Sequence, residues 1–331
     1  MKILLTGPFG KIGYRVVEAL LAKGYLVTCF DLDTTANRKT ARDFAGQVAA
    51  GRVKVIWGDI TNAEQVASAV KGQDAVVHNA AIIPPLSDIN PALAERVNVG
   101  GTKNILSAIQ RSDKKPQLVF PSSISVHGFN APDSPYPKKI TAPFRAEDCY
   151  AGHKILCEQL IEDAEKQWGL RWVIVRIGAC MEGRNPMDTE NGDEMMQMMF
   201  GIAAKARIEY IHPKDVAAAM ANAIGNAQAI GKKFFLGGGK PCQTYWGEFN
   251  SMFLIAMGCP PFPDSVFGTQ GYYTDWMDTK ESQRVLQFQN HTLADYRAEL
   301  DRKFKYVRPF LFPFRSLILR YLMAKSPNLK K

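Results

Sequence analysis

Short runs of Val, Ile, Leu and Phe alternate with stretches of helical period through the first half of the chain. The runs at about 2–6, 25–31, 53–57, 74–78, 116–122 and 171–177 have the length and composition of strands. Between the first two, Ile12, Val16, Val17, Leu20 and Leu21 recur at helical intervals and share one face. Gly24 follows, where a helix end favours a left-handed residue. Thr61 and Glu64 have the spacing of a capping box, and a long helix is predicted over about 148–168. This alternation predicts an α/β fold, a doubly wound parallel sheet with helices on both faces.

Beyond Arg176 the pattern loosens. Residues 180–200 are rich in Met, Gly, Asn and acidic side chains, and suggest a loop with a short helix. Order returns at 207–236, with a short strand, a helix over about 213–226 and a strand at 232–236. Residues 237–300 are mixed, with Gly237-Gly238-Gly239 and a Pro-rich turn at 260–263. The 331 residues suffice for one large core and a smaller lobe. The expected division is a first domain over 1–177, completed by 207–236, then a C-terminal α/β lobe from 178–206 and 237–306. A tail covers 307–331.

Charge separates that tail from the rest. Of the net +9, all resides in residues 302–331, which hold nine Lys or Arg and no Asp or Glu; the first 301 residues carry 32 of each sign. Within about 309–325, Phe314, Leu317, Ile318, Tyr321 and Leu322 follow helical spacing, and Leu319 and Met323 broaden the apolar arc. Such a segment suits peripheral contact with a membrane interface. It suits equally well packing on its own lobe or a partner subunit. At roughly 20 Å it is too short to span a bilayer. Bulky aliphatic residues among the charges argue against nucleic acid.

The six cysteines form no Cys-x-x-Cys pair, and no set of His, Cys and carboxylates suggests a metal. They read as reduced thiols of a cytoplasmic protein. A strand from Lys2 and a glycine turn at Gly7 leave no room for a signal-peptide apolar region.

Thr6-Gly7-Pro8-Phe9-Gly10-Lys11-Ile12-Gly13 joins the first strand to the first helix. Glycines at such a junction permit a tight turn, backbone approach to a pyrophosphate and close helix packing. Gly7, Phe9, Gly10, Lys11, Ile12 and Gly13 are therefore candidate cofactor contacts. Asp31, 18 residues after Gly13, ends the second strand, where a carboxylate accepts both ribose hydroxyls of adenosine. It would repel a 2′-phosphate, which favours NAD over NADP. Asp33 adds to the repulsion, and Arg38 or Lys39 folding back would relieve it.

Tyr150 and Lys154 stand four residues apart on the predicted long helix, about 40° apart around its axis, so both reach one site. A nearby ammonium favours the phenolate and lowers a Tyr pKa from about 10. The pair suits proton exchange with an alcohol or carbonyl.

In chain order, Thr6–Gly13, Gly58-Asp59, His78-Asn79-Ala80-Ala81, Asn98, Ser122-Ser123 and Tyr150 with Lys154 resemble the extended short-chain dehydrogenases/reductases, the epimerase/dehydratase superfamily. The resemblance covers about residues 1–236; Asp278-Thr279-Lys280 and Leu286-Gln287-Phe288 are similar more loosely. It implies a Rossmann-type NAD-binding domain, a small substrate lobe and a homodimer through two long helices. Asp59 would contact the adenine amino group and Ile60 would pack on the base. Ala80 and Ala81 would let the cofactor approach the fourth strand, with Ser122 beside it. Lys154 would hold the nicotinamide ribose and Tyr150 would exchange a proton with the substrate oxygen. Ser123 would hydrogen-bond that oxygen. Asn98 would hold a water or backbone kink in a proton relay, or simply bend its helix.

Departures from the family pattern narrow the substrate. Ile124 and Ser125 stand where dehydratases carry an acidic pair, which argues against sugar dehydration. Arg176-Ile177-Gly178-Ala179 lacks the Asn that contacts the diphosphate in nucleotide-sugar members, and His127 replaces a Tyr. Val175–Cys180 resembles uronate dehydrogenases locally. Met195, Met196, Met198 and Met199, with Phe200, either line an apolar pocket or fill core. The reading is NAD-dependent hydride transfer at a secondary alcohol or carbonyl of a small molecule, with Tyr150 as acid/base. A nucleotide-sugar 4-epimerase would use the same residues, and an NAD-binding regulatory or scaffold protein would not need them.

Overall fold

The predicted runs become strands β1 (Lys2–Thr6), β2 (Leu26–Asp31), β3 (Val53–Trp57), β4 (Ala75–His78), β5 (Gln117–Ser123) and β6 (Trp172–Ile177). The structure, a computed structural model, describes residues 1–131, 133–181 and 192–330. Strands β7 (Ala179–Cys180), β8 (Arg207–Ile211), β9 (Lys232–Leu236) and β10 (Gln243–Tyr245) follow. The main sheet has the order β3-β2-β1-β4-β5-β6-β9, and every pairing in it is parallel. The order reverses between β1 and β4. Connections leaving those two strands diverge, and a crevice opens at their carboxyl ends.

Helix Lys11–Ala22 buries Val16, Val17 and Leu20 on one sheet face, beside Val216 and Met220 of helix Pro213–Ala223. Gly24 follows its end with φ 78°, as the pattern predicts. The other face is covered by Val66 and Val70, Ile105 and Ile109, and Cys157 and Ile161, from three further helices. Each such buried side chain stabilises the fold by about 1.5–3 kcal/mol. The last of these helices, Cys149–Trp168, is the predicted long one.

Two local expectations are corrected. Helix Ala63–Val70 is capped by Asn62, whose side chain accepts from Glu64 N and Gln65 N; Thr61 N already donates to Asp59. Helix Pro213–Ala223 stops short of 226 because Ile224 is extended.

Strands β10, β8 and β7 form a second sheet, β10 antiparallel to β8. Ile208, Tyr210, Trp246, Phe249 and Phe267 build a second core on it. Met196 and Met199 pack against this core and Phe200 lies within it, so they fill core, whereas Met198 is exposed, against the expectation for the group. The side chain of Met195 and residues 182–191 lie outside what the structure describes. Val285, Leu286 and Phe288 pack on the first core, not the second, although they lie within the range 237–306 expected for the lobe.

A buried charge cluster locks the long helix to β5, β6 and β9. Glu158 accepts from Arg176 Nη2 (2.7 Å), Arg176 Nε (3.0 Å) and Ser122 Oγ (2.6 Å), and Lys233 Nζ stands at 3.4 Å. Arg176 Nη1 donates to Ile140 O (2.8 Å) and to His127 Nε2 (2.9 Å). His127 must then carry its proton on Nδ1, which faces Pro143 O at 3.1 Å. Burial raises the Glu158 carboxyl, but the Arg176 hydrogen bond and charge outweigh it and hold the group below its ordinary value. Its stabilisation is present above the ordinary carboxylate pKa and is lost as pH falls through the lower folded value. Arg176→Met strands this carboxylate and should cost about 3–5 kcal/mol, read as a lowered urea midpoint near neutral pH.

Candidate active site

Gly7 turns the chain out of β1 with φ 65°, and a Cβ there would lie 2.9 Å from Ala80 Cα. A Cβ on Gly13 would lie 1.9 Å from the Gly7 carbonyl oxygen, so only glycine lets the first helix start this close. Gly10 differs. Its φ is −75°, and the nearest atom to an added Cβ is Gly7 O at 3.8 Å. The fold tolerates a side chain at 10, which leaves close approach from the crevice as the reason for glycine. Phe9 is buried against the Trp57 ring, centroids 5.4 Å apart, and Ile12 packs on the first core. Lys11 is exposed at the helix start.

Asp31 ends β2 beside this turn. Its Oδ2 accepts from Phe9 N (3.3 Å) and its Oδ1 from Leu32 N (2.9 Å). Burial nonetheless raises the carboxyl above its ordinary value. Arg38 does fold back, but onto Asp33 at 2.5 Å and over the Trp57 ring at 5.4 Å. It offsets Asp33 and makes no ion pair with Asp31 at that point. Asp59 accepts from Thr61 N (2.8 Å) just after β3. Ile60 points into the core beside Phe30 and Val99, with its side chain against Gly101. Ala80 and Ala81 follow β4 half-buried, and Ala80 N donates to Thr6 Oγ1 (3.0 Å).

The long helix begins at Asp148, whose carboxylate accepts from Ala151 N (2.7 Å) and from the hydroxyl of Tyr273 in the second lobe. Tyr150 lies in the first turn. One turn on, buried Lys154 donates to Pro121 O (2.7 Å), with Nζ 4.6 Å from the Phe120 ring centroid and 5.7 Å from that of Tyr150. Lys154 thus ties the helix to the end of β5, two residues before Ser123. Ser123 Oγ accepts from Ser125 N (3.1 Å) and Ser125 Oγ (2.9 Å). With both lone pairs engaged, its remaining capacity is as an O–H donor. Ser122 alternates to the other side of β5 and donates to Glu158. Its hydroxyl is therefore committed to the buried cluster and not to a cofactor, which corrects that expectation.

Burial pushes Lys154 down to about 8, partly offset by Cys157 and Glu158. The Tyr150 phenol is pushed up, by burial first and then by Asp148 and Cys157. The expectation from the ammonium alone was the reverse. Burial wins here, while the ammonium is directed at Pro121 O.

Asn98 sits in a π-helical turn, Arg96–Gly100. Its amide clasps Ile82, accepting from N (2.7 Å) and donating to O (2.8 Å), with His153 Nδ1 at 3.5 Å. It accordingly accompanies a helix irregularity and holds the connection after β4. His212 caps its helix by accepting from Lys214 N (3.0 Å).

Two sets of residues were assigned no role from sequence. Thr102 Oγ1 donates to Asn98 O (2.7 Å), so it accepts from His78 Nε2 (3.2 Å); His78 Nδ1 then accepts from Thr6 Oγ1 (2.9 Å). This directed chain joins β1 and β4 at the point where the strand order reverses. Burial pushes His78 down to about 3, so it stays neutral. The readable signal was a polar Thr and His ending two apolar strands. Glu158 is the other, and its signal was an acid four residues beyond Lys154.

Residues 3–237 match the NAD dependent epimerase/dehydratase family. The chain belongs to that family. It is 31% identical over 175 residues to rat 3 beta-hydroxysteroid dehydrogenase type 7, covering 51% of this chain and 50% of that protein. It is 34% identical over 197 residues to UDP-glucose 4-epimerase of Azospirillum brasilense, covering 57% and 53%. The chain thus spans about half the length of these curated relatives. The solved UDP-glucose-4-epimerase of Stenotrophomonas maltophila, with bound NAD and formylated UDP-arabinopyranose, superposes with a TM-score of 0.76 at 22% identity. That match covers 94% of this chain and 99% of the other and shows the shared fold.

The glycines separate fold from ligand. Gly10→Ala should keep the melting temperature while NAD affinity falls by about tenfold or more, measured by titration calorimetry. Gly13→Ala should fail in thermal melts because backbone must move. Lys154 supplies a pH signature. Between about 8 and its ordinary 10.5, the unfolded chain binds a proton that the folded chain lacks, so stability rises with pH. Lys154→Met should therefore raise the urea midpoint at pH 7, with the gain shrinking towards pH 10.5.

Proposed function

We propose that this protein is an NAD-dependent oxidoreductase acting on a secondary alcohol or its carbonyl, with Tyr150 as the proton donor and acceptor. The observation that carries the reading is the register of Lys154 on β5. One hydrogen bond to Pro121 O ties the helix that carries Tyr150 to β5 two residues before Ser123, which supports a shared site for the three. The residues suit NAD: Gly7 and Gly13 form a backbone cradle that Cβ atoms would fill, and Asp31 faces it with a carboxylate. Asp31 favours NAD over NADP because it would repel a 2′-phosphate.

When bound, the nicotinamide supplies the hydride donor or acceptor. Ser123 directs its O–H to the substrate oxygen and orients it. Tyr150, protonated at neutral pH, gives its proton to that oxygen in reduction and recovers it in oxidation. Lys154 holds ribose hydroxyls and places positive charge where phenolate develops. Asn98 fixes the neighbouring backbone through Ile82.

A 4-epimerase is the second reading, favoured by the 34% identity to a UDP-glucose 4-epimerase. Against it, Ala179 is buried in β7, paired with Tyr210, where the family's diphosphate contact would be needed. The two readings differ in net redox. With NAD and a panel of steroid-like alcohols and uronic acids, we expect NADH to accumulate; conversion of a UDP-sugar without NADH would establish the epimerase instead. Tyr150→Phe should lower kcat by about 10²–10⁴-fold with NAD affinity kept. Full activity of that variant would remove Tyr150 from the chemistry; no turnover by the wild type with any alcohol or sugar, despite NAD binding, would leave a binding or scaffold role.

A further inference from the structure

The basic tail divides its apolar residues between two faces. Leu311, Ile318, Leu319, Leu322 and Met323 turn inward onto the second core. Arg308 Nε donates to Ala256 O (2.8 Å), and its guanidinium pairs with Asp301. Further on, buried Ser326 donates to Val266 O (2.6 Å), and Asn328 Nδ2 donates to Phe200 O (2.8 Å) and Val266 O (3.0 Å). The segment is fastened at both ends and along its inner face, so its outer face is held in place.

That outer face is apolar. Phe310, Phe314, Leu317 and Tyr321 are 76%, 58%, 66% and 62% exposed. Their spacing of four, three and four residues aligns them in one row through helices Arg308–Leu311 and Arg315–Met323 and the turn between. A fixed row of this kind marks an interaction surface. Cations border it: Arg315 Cζ stands 4.2 Å from the Phe312 ring centroid and Lys325 Nζ 5.0 Å from that of Tyr321. No acidic residue occurs from 302 onward.

We propose that this face docks the protein on an anionic phospholipid bilayer, with the rings at the headgroup–acyl boundary and the flanking Arg and Lys on lipid phosphates. Charge selects this occupant. In a two-fold contact a second copy would set the same basic segment, which has no acidic residue of its own, against itself. Single-stranded nucleic acid needs a groove that tracks its backbone, whereas this row lies along one outward helix face.

Flotation of the full chain with vesicles tests the proposal. We expect binding to phosphatidylcholine vesicles containing phosphatidylglycerol, little binding to phosphatidylcholine alone, and release by high salt. Arg315→Gln with Arg320→Gln should weaken binding by about twenty-five-fold, from roughly fivefold per charge. Phe314→Ser, Leu317→Ser and Tyr321→Ser together should abolish it while the melting temperature and NAD affinity stay unchanged. Absence of wild-type flotation, or equal flotation of the triple variant, would overturn the proposal. So would a wild-type dimer in light scattering that the triple variant dissolves, or tight binding of single-stranded DNA lost in that variant.

Discussion

The salt bridge between Glu158 and Arg176 sets the depth of the long helix, and the site depends on that depth. Glu158 lies one turn beyond Lys154 and two beyond Tyr150, on one side of the helix. Its bonds to Arg176 on β6 and Ser122 on β5 fix where that side meets the sheet. Lys154 can then reach Pro121 O, two residues before Ser123. A carboxylate buried this completely is tolerable only because donors from two strands converge on it. The same requirement makes it a sensitive reporter of register: sliding the helix by one residue would strand the charge.

Lys154 works in the opposite sense. Its ammonium is buried with one carbonyl and two aromatic faces for company, and burial drives its pKa down. The fold carries this unfavourable charge at a position where a cofactor ribose and a developing phenolate would use it. The Glu158 cluster stabilises the scaffold, and Lys154 draws on that stability at the candidate site.

The second lobe contributes to the same geometry. Tyr273 donates to Asp148, the residue that starts the long helix, so the lobe and the candidate catalytic turn are joined through one carboxylate. The tail is stitched into that lobe through Val266 and Phe200, and Phe200 lies in the last turn of helix Gly192–Gly201. An outward apolar face at the tail therefore belongs to the folded lobe and not to a loose extension.

Strand positions, the glycine turn and the Tyr150–Lys154 spacing were legible in the sequence because each rests on local rules: apolar period, positive φ and helical repeat. Side-chain direction at strand ends was less so. Ser122 and Ser123 are adjacent, yet pleating sends one into the charge cluster and the other to the crevice. Ile60 packs beside Phe30 and Val99 because Gly101 leaves room for it there, a neighbour that no local period names. The sign of the Tyr150 shift was also beyond spacing, since it depends on burial by residues far away in the chain. The tail shows the same limit. Its sequence determined a broad apolar arc with uncompensated positive charge, but only contact with the second core decided which half is buried and which faces outward. Burial is a property of what other segments bring alongside, and no local period contains it.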